Sequence, residues 1–221
     1  MGHTIELTAS DGHRLSAYRA GPDHAARGLV VVQEIFGVNN HMRHVCDAFA
    51  AEGYAVIAPA LFDRAERAVE LGYQPEDVTQ GRALRGKIAD ADTLADVEAA
   101  AAALGDIKRG IVGYCWGGTV AWWGATRSTS FLAAVGWYGG GIAAARHETP
   151  HCPVELHFGE TDASIPLSDV DAIRAAQPEV SIYVYAGAGH GFGCDERASY
   201  SAKHAARAQE RTLAFFAKHL L

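Results

Sequence analysis

The chain has 221 residues, a formal net charge of −7, and 49% hydrophobic against 20% charged residues. That balance suits one soluble globular domain over 1–221 with a full core, and the acidic excess disfavours nucleic acid or an anionic membrane as partner. No apolar run nears the roughly 18 residues that span a bilayer, and Met1-Gly2-His3-Thr4-Ile5-Glu6 lacks the basic and apolar stretches of a leader, so a cytoplasmic monomer is expected.

The predicted elements begin with a β-hairpin. Residues 4–8 and 14–18 alternate apolar and polar side chains around Asp11-Gly12, a turn pair between two half-buried strands. Short apolar runs follow at 28–32, 55–58, 110–113, 133–137, 154–158 and 180–185. Several are apolar on both faces, as strands of a covered parallel sheet should be. Helical patterns fill the gaps at 44–52 ending at Gly53, 92–104 ending at Gly105, 167–177 before Pro178, and 199–219. In the last of these Ala205, Ala208, Leu213 and Phe216 are the apolar positions. Residues 62–77 carry turn signals and mixed charge, and read as a loop or short-helix excursion that could cover a site. Strand and helix alternating in this way predict an α/β fold with a mostly parallel, doubly wound sheet and helices on both faces.

Chemistry concentrates at Gly113-Tyr114-Cys115-Trp116-Gly117-Gly118. Small residues on both sides of a nucleophile, between a strand and a helix, describe the nucleophile elbow of an α/β-hydrolase fold. A Cβ at the flanking positions would collide with the neighbouring helix or strand. The sharp turn lifts Cys115 to a helix N-terminus, where N–H groups stabilise both a thiolate and an oxyanion. The other cysteines, Cys46, Cys152 and Cys194, form neither a disulfide framework nor a CxxC zinc pair, and no metal or cofactor is expected.

A thiol nucleophile needs a base, and the base needs an orienting partner. In this architecture the chain order is nucleophile, acid, histidine. Asp162 and His190 follow Cys115 in that order, each on a loop after a predicted strand, so all three fall at one end of the sheet. Taken singly, Asp162 also suits a helix cap or turn, and His190 is one of eleven histidines. His157 competes with it but lies in mid-strand, where packing is the better explanation. Glu34, at the end of an early strand, would project toward Cys115 as a second proton acceptor. The loop it opens supplies an oxyanion-hole N–H in this architecture, pairing Ile35 with Trp116.

These segments resemble the dienelactone hydrolase family, also called carboxymethylenebutenolidases. The likeness rests on Gln-Glu-Ile-Phe-Gly at 33–37, Gly-Tyr-Cys-Trp-Gly-Gly at 113–118, Asp162, and Ala-Gly-His-Gly-Phe at 188–192, and extends over essentially the whole chain. The resemblance implies a small ester or lactone substrate and no cofactor. It implies Cys115 as nucleophile, His190 as the base that forms an ion pair with it, and Asp162 as the group that orients the imidazolium. It also implies that Glu34 accepts the thiol proton as substrate binds, and that catalysis passes through a thioester acyl-enzyme.

Substrate recognition is where the pattern departs. Family members acting on dienelactone are expected to hold its carboxylate with arginines, one of them shortly after the catalytic histidine; here Cys194 stands in that region and Arg197 lies just beyond. Arg82 is the better of two candidates at 80–85, the other being Arg85, with a solvated helix arginine as the alternative for each. Phe36, Tyr138 and Phe192, with Trp116, either line an apolar pocket or belong to the core. Acyl transfer or thioester hydrolysis on the same fold, and a non-enzymatic thiol redox sensor, are the competing functions.

Overall fold

The structure is a computed structural model and describes residues 2–221. Its eight strands form one sheet in the order β1-β2-β4-β3-β5-β6-β7-β8, the mostly parallel sheet of an α/β-hydrolase. The chain divides into two compact units, Met1–Ile111 and Val112–Leu221.

In the first unit, β1 (His3–Thr8) and β2 (Arg14–Ala20) form the expected antiparallel hairpin, with Leu7 opposite Leu15. Its turn is made by Gly12 at φ +86° and by the Asp11 carboxylate, which accepts from the His13 N–H at 3.0 Å. β2 continues antiparallel onto β4 (Ala55–Pro59), and β4 runs parallel to β3 (Arg27–Val32). Leu29, Val30, Val31 and Val32 are fully buried, as are Val56, Ile57 and Ala58. Continuous burial of this kind requires cover on both faces, the reason these runs lack alternation. Helix α1 (Asn40–Ala51) starts at an Asn39 cap that accepts from the Met42 N–H. Helix α3 (Asp90–Ala103) buries Val97, Ala100 and Ala101.

One helix departs from the sequence reading. The segment after the 3-10 turn Leu61–Arg64 contains α2 (Pro75–Arg85), three turns long. Its charge obscured its start signals: Pro75 sits in the first turn, and Asp77 reaches back to accept from the Gln74 N–H at 2.9 Å. Both are features of a helix N-terminus.

The second unit holds α4 (Trp116–Arg127), β6 (Ala133–Trp137), β7 (Val154–Gly159), α5 (Leu167–Ala176), β8 (Ser181–Tyr185) and α6 (Ala202–His219). Strand β5 (Lys108–Tyr114) starts in the first unit and ends in this one. β6, β7 and β8 are parallel, with Gly136 opposite Leu156 and Leu156 opposite Ile182. α4 is buried along its whole length up to Thr126, as a helix apolar all round must be. α6 buries Ala208, Thr212 and Phe216, four residues apart, while Ala205 and Leu213 are only half-buried. The polar Thr212 earns the central place because its hydroxyl accepts from Trp137 Nε1 at 3.2 Å and lies 3.1 Å from His157 Nε2.

Candidate active site

β5 runs into Cys115, and α4 begins at the next residue. Cys115 has φ 56° and ψ −115°, a conformation that costs a non-glycine residue about 1–3 kcal/mol and persists only where its surroundings impose it. Two constraints are visible. The Cys115 N–H donates to the Trp137 carbonyl on β6 at 2.9 Å. Gly113 and Gly118 bring the backbones together: a Cβ on Gly113 would overlap the Gly117 carbonyl, and one on Gly118 would meet the Trp137 carbonyl. The elbow glycines are therefore required by packing. The Trp116 N–H is in the first turn of α4, where helix geometry turns N–H groups toward the N-terminal mouth.

Asp162 and His190 arrive on two loops that hold each other. Asp162 lies on the turn after β7, and its buried carboxylate uses both oxygens: Oδ1 accepts from the Ser164 N–H at 2.8 Å, and Oδ2 lies 2.7 Å from His190 Nδ1. The Thr161 N–H and hydroxyl both donate to the Ala188 carbonyl, at 2.9 and 3.0 Å. Ser199 Oγ donates to the His190 carbonyl at 2.6 Å, which fixes the histidine's backbone. His190 Nε2 then lies 3.2 Å from Cys115 Sγ. Cys115, His190 and Asp162 thus form one continuous chain of contacts.

The electrostatics of this chain favour charge on the imidazole. Burial by itself lowers the His190 pKa. The hydrogen bonds to Asp162 and Cys115, with the negative charge they carry, outweigh it and raise the pKa from 6.5 to about 10. His190 is thereby favoured as an imidazolium whenever the sulphur opposite it is a thiolate.

The residues around His190 form a buried aromatic floor. Tyr138 lies edge-on to the His190 ring at 5.2 Å, and Phe192 packs on Tyr138 and stacks on Trp137. Tyr138 and Phe192 are fully buried and support the imidazole from beneath. His157 belongs to a separate network, with Nδ1 2.9 Å from Tyr185 Oη and Nε2 3.1 Å from Glu155 Oε1. Burial pushes it toward the neutral form, the packed histidine that its mid-strand position suggests. Thr161, Ser199 and Trp137 escaped the sequence reading because their roles are backbone contacts that no residue pattern announces.

The remaining candidates are placed as follows. Glu34, in the first unit, is fully buried at the end of β3, beside Ile35 and the buried Phe36. This loop is shaped by two glycines: Gly37 has φ +81° and abuts the Val69 carbonyl, and Gly81 lets α2 rest directly on the Ile35 carbonyl. Arg82 is exposed on α2 without an ion pair among the described residues. Arg85 is committed locally, to the Ile88 carbonyl and Asp90. The Arg197 guanidinium lies flat over Gly191, within 2.8 Å of where a Cβ would stand. Cys194 is fully buried. None of the described helices is long and apolar enough to cross a membrane.

The model of the Dienelactone hydrolase family matches residues 15–220. The chain belongs to the dienelactone hydrolase family. This family member is 38% identical, over 87% of its length and 86% of the other's, to a protein of Synechocystis sp. named "Putative carboxymethylenebutenolidase". A protein of Escherichia coli (strain K12) with the same name is 35% identical, over 95% of this chain and 84% of the other. Among solved structures, a "Putative Dienelactone Hydrolase from Klebsiella pneumoniae" superposes with a TM-score of 0.81 at 34% identity, covering 97% of this chain and 99% of that one. The dienelactone hydrolase-family chain is a hydrolase on the α/β-hydrolase fold, and its elbow carries cysteine at position 115.

Proposed function

We propose that this hydrolase opens a lactone or cleaves an ester by attack of Cys115, through a thioester acyl-enzyme. The observation that carries the reading is His190 held between Asp162 Oδ2 at 2.7 Å and Cys115 Sγ at 3.2 Å. An imidazolium so placed pairs with a thiolate and stands within reach of a leaving oxygen. The thiolate adds to the carbonyl carbon, and the oxyanion is received by the N–H groups of Trp116 and Ile35. As the C–O bond breaks, His190 Nε2 gives its proton to the departing oxygen, leaving a thioester and a neutral imidazole.

The thioester changes the base. Part of the rise in the His190 pKa comes from Cys115, and an acylated sulphur has no negative charge to contribute. The imidazole therefore becomes easier to keep neutral at the stage where it must take a proton from water. Hydroxide attacks the thioester, the acid leaves, and the thiolate–imidazolium pair returns.

Glu34 is the second proton acceptor in this scheme, converting a resting thiol to thiolate as substrate binds and so limiting oxidation between turnovers. Support for Glu34 and for the Ile35 N–H comes from the Gln-Glu-Ile-Phe-Gly segment and from the burial of the carboxylate. Arg82, exposed on α2, is offered to a substrate carboxylate, whereas Phe36, Tyr138 and Phe192 are buried and belong to the core rather than to a pocket wall. The test is steady-state hydrolysis of cis- and trans-dienelactone beside a neutral aryl ester, with wild type and Cys115→Ala. Dienelactone turnover lost in the variant is the expected result. Aryl-ester turnover alone would move the substrate to an uncharged ester, and activity surviving in Cys115→Ala would remove Cys115 as nucleophile.

A further inference from the structure

Helix α6 turns one stripe, Ala208, Thr212 and Phe216, into the core. The neighbouring stripe, Arg211, Phe215 and Lys218, also shares one face by its helical spacing. It borders two clefts, one of about 490 Å³ and one of about 260 Å³. They meet at Ser181, Phe215, Lys218 and His219, which line both. The larger is in the range of small-molecule sites, roughly 300–1,000 Å³. Both clefts lie where β7 and β8 begin: Val154 and Ser181 are the first residues of those strands. Asp162 and His190 follow the other ends of the same strands, about a strand's length away, roughly 17–20 Å. The clefts are therefore separate from the surroundings of Cys115.

Their walls combine apolar surface with unpaired positive charge. Pro150, Pro153, Val180 and Phe215 line the larger cleft. The His219 ring packs on Phe215 with 4.6 Å between centroids, and burial together with the nearby Lys218 lowers its pKa, so the ring is neutral at neutral pH. Charge comes from Lys218 and, in the smaller cleft, from Arg211. The Arg211 guanidinium lies over the Tyr183 ring at 3.9 Å and donates to Tyr185 Oη at 3.2 Å. Neither cation has a carboxylate within ion-pair distance among the described residues. A basic group in the last turn of a helix offsets its dipole, which accounts for Lys218 but not for Arg211, two turns earlier. The carboxylates nearby do not neutralise them. Glu179 lines only the larger cleft and is exposed, and Glu155 is buried with Oε1 3.1 Å from His157 Nε2.

We propose that the joined clefts are a second binding site, for a small carboxylic acid with an apolar body. The body lies on Val180 and Phe215, and the carboxylate lies at the junction beside Lys218, on the side that leads to Arg211. Apolar burial supplies affinity in proportion to area. The unpaired ammonium selects an acid over its neutral amide, because a charge-assisted hydrogen bond is the stronger one. Nothing in this site depends on the chemistry of Cys115.

The experiment titrates the isotope-labelled full chain with phenylbutyrate and, separately, with its neutral amide, and follows backbone amide shifts by NMR. The acid is expected to give saturable shifts at Ser181, Phe215, Lys218 and His219, with a Kd about three- to tenfold below that of the amide. Lys218→Met should raise the Kd of the acid by about the same factor and leave that of the amide unchanged. Ser181→Tyr, which fills the junction, should abolish binding of both. Each variant replaces an exposed side chain, so unfolding midpoints should match wild type. Absence of saturable shifts at these residues would overturn the proposal. Shifts confined to residues around Cys115 and His190 would also overturn it, by placing the acid in the site of hydrolysis alone. Equal affinities for acid and amide, or an unchanged Kd in Lys218→Met, would remove the carboxylate from the clefts. Shifts at the same residues with rising protein concentration and no acid would assign this face to a second copy of the chain instead.

Discussion

Cys115 differs from the other cysteines in its surroundings. Burial pushes the Cys152 thiol up to about 11 and drives that of Cys46 higher still, which leaves both as packing residues. Cys115 instead faces an imidazole that a buried carboxylate holds in place. Asp162→Asn keeps the shape and removes the charge, so kcat/KM should fall by about 10²–10⁴-fold, the range for an orienting acid. The His190 protonation midpoint, followed by NMR of the ring, should drop from about 10 toward 6.5; a midpoint that stays near 10 would refute the assignment of Asp162. Glu34→Gln should keep the fold and lose most of its turnover, and wild-type rates in that variant would take Glu34 out of the mechanism while leaving the triad intact. Cys115, Asp162 and His190 were legible as a set because their chain order and strand-end placement are specific to this architecture. Thr161 and Ser199 were not, since a hydroxyl that donates to a backbone carbonyl leaves no spacing to recognise.

At the scale of elements, the site depends on close approach of backbones. Glycine in a helix interior normally costs about 1 kcal/mol relative to alanine, so Gly81→Ala in α2 would ordinarily stabilise. Here the added Cβ overlaps the Ile35 carbonyl. The expected outcome is the reverse, a lower unfolding midpoint in urea together with reduced turnover, because the loop that carries Glu34 must shift. A stabilised, fully active Gly81→Ala would show that α2 does not shape that loop. Thr212 on α6 offers a second test. Thr212→Val keeps the volume but leaves the buried Trp137 Nε1–H without its acceptor, at a cost of about 1–3 kcal/mol. Trp137 also holds the Cys115 N–H through its carbonyl and stacks on Phe192, so the loss of stability should be accompanied by slower turnover. α2 itself shows why element boundaries are hard to read: a charged helix with weak amphipathicity looks like a loop until its capping contacts are seen.

For the molecule as a whole, the contacts of His190 with Asp162 and Cys115 link folding to pH. His190 binds its proton more tightly in the folded chain, at about 10, than its ordinary value of 6.5. The stability this supplies is complete below about pH 6.5 and is lost as pH rises through about 10. Thermal midpoints of the wild type should decline across that window, and His190→Gln should lack that part of the decline. Equal slopes in the two proteins would mean that His190 is not held protonated by its partners.

The alternation of strand and helix, the buried apolar runs and the elbow were all decided by local pattern. Side-chain periodicity reports which faces are covered, and Gly113-Tyr114-Cys115-Trp116-Gly117-Gly118 permits few backbones other than a sharp turn. The family segments placed Asp162 and His190 for the same reason. Tertiary structure alone decided what those residues experience. The strained φ of Cys115, the burial of Tyr138 and Phe192 beneath His190, and the raised pKa of the imidazole all arise from atoms 20 to 75 residues apart in the chain, such as His190 against Cys115. Pattern in sequence reports covered faces and turns, whereas distances between loops follow from how the strands that carry them pack.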